Sequence, residues 1–380
     1  MTKEEFNEFS QALTACKSKV SSINGFMGFD GFIDEIISVV SKRSDAENYS
    51  SFATISEFAD RIQSAAGKSS NIELVTKQAK IGGNGPIMGL SLASLGLGLT
   101  YVGALGETSI HPVFKKLEEK CSQVYTLCDS GHTDALEFTD GKLMFGKLES
   151  LKDVNWANIV KVIGEDKVNS YIKESDFFSF VNWTMLPYMS EIWKEFNKSF
   201  PSLRDSRDFP VFIDLADFEK RTDEDCLEAI EIMREMNKHA TVTLGLNLRE
   251  GQQMARLLNY DGIDKEDIES VKELASFIRE KIELHAVCVH PRDFAVSADA
   301  NGTYGAVGPY TDKPKISTGA GDHFNAGYFT GILIGLNQQQ ALTLGVLNSG
   351  FYVRTAISGN LDDLHNFCQM WLDGNPEGVR

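Results

Sequence analysis

Short apolar runs rich in β-branched and aromatic residues alternate along this chain with stretches that have the period of an α-helix. Helical periodicity is clear at Asp223–Met236 and Asp267–Ile282. Nearly continuous apolar strands separated by helices are typical of a mostly parallel sheet that is covered by helices on both faces, so we predict a three-layer α/β sandwich. The predicted strands are Ile23–Phe29, Tyr101–Leu105, Phe177–Val181, Val211–Asp214, Val242–Leu246 and Ala286–Val289.

A second group of strand-like segments does not fit that alternation. Thr133–Phe138 and Lys142–Lys147 flank Asp140-Gly141, a pair that favours a hairpin turn. Glu73–Ala79 predicts another strand, and the polar stretch Ser41–Ser70 predicts a helical or loop insertion. We expect a single domain spanning residues 1–380, with a small β-sheet lid inserted in it and formed by segments at about residues 35–40, 72–80 and 132–148.

The net charge limits the partners of an otherwise ordinary globular composition. The 380 residues include 37 Lys and Arg against 54 Asp and Glu, which gives a formal charge of −17. Because nucleic acids and anionic membranes are bound by cations that neutralise phosphates, we expect neither as a partner. The polar, acidic first residues and the lack of a long apolar run predict neither export nor membrane anchoring.

The cysteines give a consistent indication of the compartment. They form no Cys-x-x-Cys pair, and the seven histidines do not fall at metal-ligand spacing with them. We therefore expect reduced thiols in a cytoplasmic protein. The six positions are Cys16, Cys121, Cys128, Cys226, Cys288 and Cys368.

The segment Ser317–Asp322 is the most informative part of the sequence, because it joins directly to the apolar, helix-like run Phe324–Leu336. Its small residues let backbone N–H groups approach an anion, and the N-terminus of the following helix adds about half a positive charge. Asp322 is placed to accept a proton from a substrate hydroxyl and so activate it for attack on a phosphoryl group. The alternative is a tight turn in which Asp322 is an ordinary residue of the first helical turn.

A glycine cluster, Gly82-Gly83-Asn84-Gly85, precedes a second run of small and apolar residues. Its backbone is open to a polar ligand, and the Asn84 amide can both donate to and accept from hydroxyls. Asp30 and Asp34 follow the first predicted strand, where each carboxylate could bind two neighbouring hydroxyls of a sugar. A turn or helix-cap role is the alternative for either aspartate. Neither the dinucleotide fingerprint nor the P-loop fits the chain.

A third candidate is the pair Asn247 and Glu250, which follows the strand Val242–Leu246. The spacing places an amide and a carboxylate on one side of a first helical turn. A carboxylate near triphosphate oxygens would act through Mg²⁺ and its waters. As a bare pattern, the same pair is also a common helix cap.

Taken together and in order, these motifs resemble the ribokinase family, also called the PfkB carbohydrate kinases, over most of the chain. That family has a sugar-contacting Asp after the first strand, a Gly-Gly motif, an Asn-x-x-Glu motif and a C-terminal Asp-Thr-x-Gly-Ala-Gly-Asp signature. The resemblance implies a ribokinase-like fold and ATP with Mg²⁺ as the phosphoryl donor. The matching positions here are Asp34 or Asp30, then Gly82, Gly83 and Asn84, then Asn247 and Glu250, and finally the segment 316–322.

The same resemblance assigns roles to individual residues. It makes Asp322 the catalytic base and the backbone of Gly319, Ala320 and Gly321 the anion hole, with Thr318 beside the nucleotide. Glu250 would organise Mg²⁺ and phosphate. Asn348 and Gly359 match a helix-and-loop segment that borders the adenine pocket of the family. The accessory strands match a lid that closes over the sugar and in some members forms the dimer interface, so the resemblance allows a homodimer here.

The chain departs from the family pattern at three places. Ile316 replaces an Asp that helps to build the monovalent-cation site of potassium-activated members, so the motif gives no support for potassium activation. Ile87 stands where the Gly-Gly motif usually continues to a substrate-contacting Asn. The usual Asp-Pro-Asn-x-Arg is reduced to Asp214-Leu215-Ala216-Asp217, with Arg221 displaced. The phosphoryl-transfer machinery is therefore matched, whereas the sugar pocket is atypical.

We expect an ATP-dependent kinase that phosphorylates a hydroxyl of a sugar or sugar-like substrate. Three alternatives stay open at this point. One is a sensor of the same fold that has lost activity, which Ile316 and Ile87 would allow. The others are a nucleoside kinase and a sugar-phosphate kinase, and the latter would require a basic residue near the pocket. The sequence alone does not place Arg221, Arg249 or Arg292 there.

Overall fold

The computed structural model describes residues 2–204, 206–260 and 265–379. Its strands are β1 (Asn24–Phe29), β2 (Phe32–Arg43), β3 (Tyr49–Ser51), β4 (Leu74–Gly82), β5 (Gly98–Gly103), β6 (Gln123–Thr126), β7 (Gly131–Phe138), β8 (Gly141–Lys147), β9 (Phe177–Val181), β10 (Pro210–Asp214), β11 (Thr241–Asn247), β12 (Ala286–His290), β13 (Phe294–Asp299) and β14 (Gly302–Val307).

The α-helices alternate with these strands over most of the chain. They are α1 (Lys3–Cys16), α2 (Ile55–Gln63), α3 (Asn84–Leu95), α4 (Lys115–Lys120), α5 (Trp156–Ile163), α6 (Glu165–Glu174), α7 (Met189–Leu203), α8 (Asp223–Asn237), α9 (Leu248–Leu257), α10 (Ile268–Ile282), α11 (Ala320–Ile334), α12 (Gln338–Thr355) and α13 (Leu361–Leu372). None of the described helices is both long and apolar enough to cross a membrane.

The main sheet has nine strands in the order β14-β13-β12-β11-β10-β9-β1-β5-β6. The strands from β6 to β12 pair in parallel, and the edge strands β13 and β14 are antiparallel. The predicted parallel sheet and its six strands are confirmed. Because parallel strands end at one edge of the sheet, Asp30, Asn182, Asp214 and Asn247 are brought to the same side of the molecule.

Helices cover both faces of this sheet, and alternate strand residues face the two layers. In β9, Phe178 and Phe180 pack into the core under α5 to α10, whereas Phe177 and Val181 pack under α3, α11 and α12. Aromatic rings fill the first core, where the Phe180 and Phe196 ring centroids lie 4.8 Å apart. Both faces of the strands are thus buried, as the continuous apolar runs indicated.

A small separate sheet has the order β3-β2-β7-β8, with β4 paired to the other side of β2. The predicted hairpin is confirmed, because Phe138 pairs with Gly141 across the β7–β8 turn. The stretch Ser41–Ser70 contains the expected helix and loops together with a few strand residues. It completes β2, supplies β3 and contains α2, whose Phe58 packs into a minor core with Ile37 and Leu136.

Candidate active site

The Ser317–Asp322 segment forms a tight turn that opens α11. Gly319 has φ 88° and ψ 1°, a left-handed conformation that suits glycine, and it caps the helix. The Ala320 N–H donates to the Ser317 carbonyl at 3.2 Å, so this amide is engaged within the turn. Gly321 and Asp322 are in the first helical turn, where N–H groups have no carbonyl one turn earlier. A Cβ on Gly319 would lie 3.0 Å from Ile87 Cγ2, so Ile87 packs beside the turn.

Asp322 is held from a different part of the chain. Its Oδ1 accepts a hydrogen bond from Asn84 Nδ2 at 2.9 Å, and the residue is 8% exposed. Burial raises the pKa of the Asp322 carboxyl well above its usual value, and the nearby Asp214 carboxylate adds to the rise, whereas the Asn84 bond opposes it. The structure therefore brings two predicted site residues, which are more than two hundred positions apart, into direct contact.

Asp30 is more deeply buried than Asp34. Its Oδ1 accepts from the Gly85 N–H at 2.8 Å and its Oδ2 from Asn182 Nδ2 at 2.7 Å, and no part of it is exposed. Burial raises the pKa of the Asp30 carboxyl to about 7. A Cβ on Gly83 would lie 2.6 Å from Asp30 Oδ2, so this glycine gives room to the carboxylate behind it.

Asp34 is the more accessible of the two predicted sugar contacts. It lies on β2 of the small sheet, opposite Thr133 of β7, and is only partly buried. Burial raises the pKa of the Asp34 carboxyl, while Thr133 and Lys142 partly offset the rise. A Cβ on Gly82 would lie 2.6 Å from the Asp34 carboxylate, which explains a glycine at this position. The two glycines of the Gly-Gly motif thus each lie against one of the two aspartates.

Asn247 and Glu250 form a capping box at the start of α9. The Glu250 N–H donates to Asn247 Oδ1 at 2.9 Å, and the Asn247 N–H donates to Glu250 Oε2 at 2.8 Å. Glu250 is nevertheless 7% exposed, and burial raises its pKa to about 8, with the Asp214 charge as the next cause. The cap that the sequence offered as an alternative is therefore present, and it places a buried carboxylate beside other carboxylates.

Asp214 is a buried carboxylate that the sequence analysis did not select as a site residue. Its Oδ1 accepts from the Ala216 N–H and its Oδ2 from Asn325 Nδ2, both at 2.7 Å. Burial raises the pKa of the Asp214 carboxyl to about 6. The signal in the sequence is the shortened family motif at 214–217. It lacks the usual Pro, Asn and Arg but keeps Asp214 as its first residue.

The set of donors suits Mg²⁺ bound mainly by a substrate. In the described ranges 2–204, 206–260 and 265–379, no group of three or more His, Cys, Asp or Glu side chains is arranged to hold a metal ion. Mg²⁺ usually keeps several waters and takes one or two carboxylates together with substrate phosphates. Glu250, with Asp214 in its electrostatic range, supplies such hard oxygen ligands, so the residues fit the ion in that mode.

The predicted nucleotide-side residues Thr318, Asn348 and Gly359 differ in exposure and in the contacts they make. Thr318 is exposed beside the Gly319 turn, and its carbonyl accepts from Tyr352 Oη at 3.1 Å. Asn348 is fully buried, and its amide donates to Ser91 Oγ and to the His323 carbonyl, so it joins α12 to α3 and α11. Gly359 lies in the loop between α12 and α13, where a Cβ would meet the Phe351 ring at 2.9 Å.

Trp183 and His290, two further residues at strand ends, are packed within the protein. Trp183 is fully buried, donates from Nε1 to Ser190 Oγ at 2.9 Å, and is covered by the Arg221 guanidinium 4.4 Å from its ring centroid. His290 lies against Phe324 with ring centroids 4.8 Å apart. Trp183 therefore belongs to the core, and Arg221 serves to cover it.

Comparison with solved structures defines the class of fold. A phosphofructokinase-2 variant from Escherichia coli aligns with a TM-score of 0.63 and 13% identity, covering 92% of this chain and 99% of that one. Ribokinase from Arabidopsis thaliana, solved with ribose and ATP, aligns with a TM-score of 0.60 and 14% identity, covering 91% of this chain and 98% of that one. Adenosine kinase from Sinorhizobium meliloti aligns with a TM-score of 0.61 and 15% identity, covering 92% of this chain and 99% of that one.

These alignments show the ribokinase fold, and the relatives found by sequence define a carbohydrate kinase. The family model for prokaryotic ketohexokinase matches residues 6–371, and the chain belongs to that family. A ketohexokinase from Haloferax volcanii is 26% identical over 344 residues, which is 90% of this chain and 89% of that protein. The resemblance to the PfkB kinases that the motifs indicated is thereby confirmed.

Proposed function

We propose that the enzyme transfers the γ-phosphoryl group of ATP to a hydroxyl of a ketohexose. The observation that carries this proposal is the buried Asp322 carboxyl at the N-terminus of α11, held by Asn84 next to a glycine turn. The substrate class follows from the family model and from the ketohexokinase relative. The solved ribokinase with ribose and ATP supports ATP as the donor.

In this proposal Asp322 takes the proton from the attacking hydroxyl. A general base works best when its pKa lies near the operating pH, and burial together with the Asp214 charge moves the Asp322 carboxyl in that direction. A base of this kind contributes about a hundredfold to ten-thousandfold to the rate. The Asn84 bond keeps one oxygen of the carboxylate fixed while the other is available to the substrate.

The glycine turn stabilises negative charge on the phosphoryl group. The N–H groups of Gly321 and Asp322 begin α11, a 15-residue helix whose N-terminus favours anions. Gly319 permits the sharp turn, and Gly321 faces the His290 ring with no side chain of its own. Donors that are already oriented stabilise developing charge without reorganisation, which is usually a large part of catalysis.

Glu250 and Asp214 would lie on the metal side of the phosphates. Mg²⁺, when bound with ATP, would supply charge neutralisation of the phosphate oxygens. The capping box fixes the Glu250 side chain at the start of α9, so its carboxylate is held in place before any ligand arrives. Because both carboxylates are buried among other acids, a cation would also relieve their mutual repulsion.

Asp34 and the small sheet form the sugar side in this proposal. The partly buried Asp34 would accept hydrogen bonds from two sugar hydroxyls, with the Gly82 backbone beside it. The small sheet would cover the sugar and exclude water that would otherwise accept the phosphoryl group.

We also propose that the edge strand β8 of the small sheet forms a homodimer interface, since Met144 and Phe145 on it are 55% and 51% exposed.

The test is ADP release from Mg-ATP across a substrate panel with Asp322→Asn measured alongside. The panel contains ketohexoses such as fructose, aldohexoses, pentoses, keto-sugar acids, sugar phosphates and nucleosides. We expect the highest kcat/KM for a ketohexose, lowered about a hundredfold or more by Asp322→Asn, with ATP binding retained. A preference for a nucleoside would refute the substrate class, and comparable turnover by the variant would refute the role of Asp322.

A further inference from the structure

Three aspartate–asparagine pairs connect strand ends, α3 and the helix α11 that carries Asp322. In each pair the asparagine Nδ2 donates to a carboxylate oxygen, and the two partners come from distant parts of the sequence. Five of the six residues are at least nine-tenths buried, and Asn84 is partly buried. The pairs are Asn84 with Asp322 at 2.9 Å, Asn182 with Asp30 at 2.7 Å, and Asn325 with Asp214 at 2.7 Å.

Backbone hydrogen bonds link these pairs into a closed circuit. Asp30 also accepts from the N–H of Gly85, the residue next to Asn84. The Asn182 N–H donates to the Asp214 carbonyl at 2.9 Å. Asn325 is three positions after Asp322, on the next turn of α11. The circuit therefore runs from the base through α3, β1, β9 and β10 and returns to the helix that carries the base.

Asp30 takes part in this circuit with both oxygens and has no exposed surface. Gly85 leaves space for it, because a Cβ there would overlap both Asp30 Oδ1 and the Tyr101 hydroxyl. A carboxylate so enclosed has no free oxygen for a sugar hydroxyl. Asp34 remains accessible for that role, so the two aspartates of the first strand region have separate tasks.

We propose that Asn84 and Asp30 are positioning residues for the base. Asn84 holds Asp322 directly, and Asp30 anchors the first turn of α3, which carries Asn84. This inference rests on the proposed function in that Asp322 is taken as the base. It departs from the sequence-based prediction, in which Asn84 and Asp30 contacted the sugar.

The charged and titratable groups around Asp322 set the direction of the pH effects. Burial raises the pKa of Asp322 most, the neighbouring carboxylates raise it further, and the Asn84 amide lowers it. Loss of the amide should therefore move the acid limb of the kcat/KM profile to higher pH, and loss of the Asp30 charge should move it to lower pH. The groups facing Asp322 are Asp30, Asp214, Glu250, Tyr101, Tyr352 and, beside Gly321, His290.

The experiment compares Asn84→Ala, Asp30→Asn and Asp30→Ala in the full chain. Asparagine at position 30 can still accept from the Gly85 N–H with its Oδ1. Its new NH₂ can donate to Asn182 Oδ1 once the Asn182 amide turns over, and that oxygen is buried without a partner among the described residues. We expect Asn84→Ala and Asp30→Ala to lower kcat by about ten- to a hundredfold with the sugar KM changed less than about threefold. Asp30→Asn should lower kcat far less.

The acid limb should move in opposite directions in Asn84→Ala and Asp30→Asn. A raised sugar KM in Asn84→Ala, with kcat and the acid limb unchanged, would show that Asn84 contacts the sugar and overturn the proposal. An equal loss in Asp30→Asn and Asp30→Ala would overturn the anchoring role of Asp30. Circular dichroism melting of each variant separates these outcomes from misfolding. If Asp30→Ala does not fold, the acid limb of Asp30→Asn still tests the role of Asp30.

The pKa of Asp322 can also be measured without substrate, so positioning of the base can be tested independently of the proposed reaction. The ionisation of Asp322 can be followed by ¹³C NMR of labelled aspartate carboxyls in the free enzyme, with Asp322→Asn to assign the signal. Opposite shifts in the two variants would support positioning even if no ketohexose is phosphorylated. Active enzyme with no shift in either variant would refute positioning and leave the kinase assignment intact.

Discussion

The imidazole of His323 stacks on the ring of Tyr352, with centroids 3.6 Å apart and planes at 12°. His323 Nδ1 lies 2.8 Å from the Gly319 carbonyl and Nε2 lies 2.9 Å from Ser358 Oγ. Because a carbonyl can only accept, Nδ1 carries the proton and Nε2 accepts from the Ser358 hydroxyl. Burial lowers the pKa of His323 to about 4, which keeps this neutral form. The side chain next to the base therefore ties the glycine turn to the loop that contains Gly359.

His323→Phe should preserve the stacking on Tyr352 and remove both side-chain hydrogen bonds. We expect kcat/KM for ATP to fall by about tenfold, since each lost bond is worth about 1 kcal/mol and the Gly319 turn would be less well fixed. Steady-state kinetics with varied ATP measure this. Tyr352→Phe is the matched control, because it keeps the stacking and removes only the bond to the Thr318 carbonyl. Equal values for His323→Phe and the wild type would contradict the argument.

Substitutions of the two capping-box residues, Asn247 and Glu250, should have different effects on stability and on the magnesium requirement. Asn247→Ala removes the side-chain cap of α9 and should lower the free energy of unfolding by about 1 kcal/mol. Glu250→Gln can keep an acceptor for the Asn247 N–H while removing a carboxyl that must take up a proton on folding near pH 6.5. It should therefore raise the free energy of unfolding at that pH and also raise the Mg²⁺ concentration needed for half-maximal activity. Urea unfolding and magnesium titration measure the two effects. If Glu250→Gln had a wild-type magnesium requirement, its proposed role would be wrong.

The free energy of unfolding should decrease as the pH rises from about 6.5 to about 8. Burial raises the folded-state pKa of Glu250 to about 8 and of Asp30 to about 7, so the folded state binds more protons than the unfolded chain across this interval. His323 has the opposite effect only at lower pH, between about 4 and its unfolded value near 6.5. Urea unfolding at both pH values tests this. Glu250→Gln should reduce the decrease, whereas the exposed control Glu228→Gln should not.

A homodimer through the small sheet should depend on β8. Phe145→Lys places a charge on an exposed edge strand, so it should shift a dimer to a monomer without lowering the melting temperature. Analytical ultracentrifugation of the wild type and this variant measures the effect. Leu227→Lys, at an exposed position on α8, is the control. A wild type that sediments as a monomer at all concentrations would exclude the interface.

The parts of the fold that the sequence predicted are those with a strong local signal. Strands β1, β9, β10 and β11 are buried on both faces, so each is a largely apolar run that stands out from its surroundings. The antiparallel edge strand β14 was missed because it is partly exposed and contains glycine, which weakens the strand pattern. Strand β3 has only three residues, and its pairing with β2 is a tertiary interaction.

The candidate site likewise contains residues with a local sequence signal and contacts that depend only on the tertiary fold. The glycine turn, Asp322 and the Asn247–Glu250 pair are local patterns that stand out in the sequence, and the family resemblance then proposed a role for each. The contacts of Asn84 with Asp322 and of Asn325 with Asp214 join positions more than a hundred residues apart, so one sequence gives no information about them. The sequence likewise could not distinguish Asp30 from Asp34, because the difference lies in what surrounds each carboxylate.

Three strands of the small sheet, β2, β4 and β7, meet the body at one row of residues. Phe32 pairs with Gly82 on one side and with Gly131 on the other, and only Asp30 and Gly31 separate β2 from β1. Asp34 lies two residues beyond that row, or about 7 Å along the strand. Rotation of the sheet by 20° about the row would move Asp34 by about 2 Å and leave Asp30 in place, by the same strand geometry. A rotation at this row would therefore make or break one hydrogen bond to a substrate without disturbing the residues behind the base.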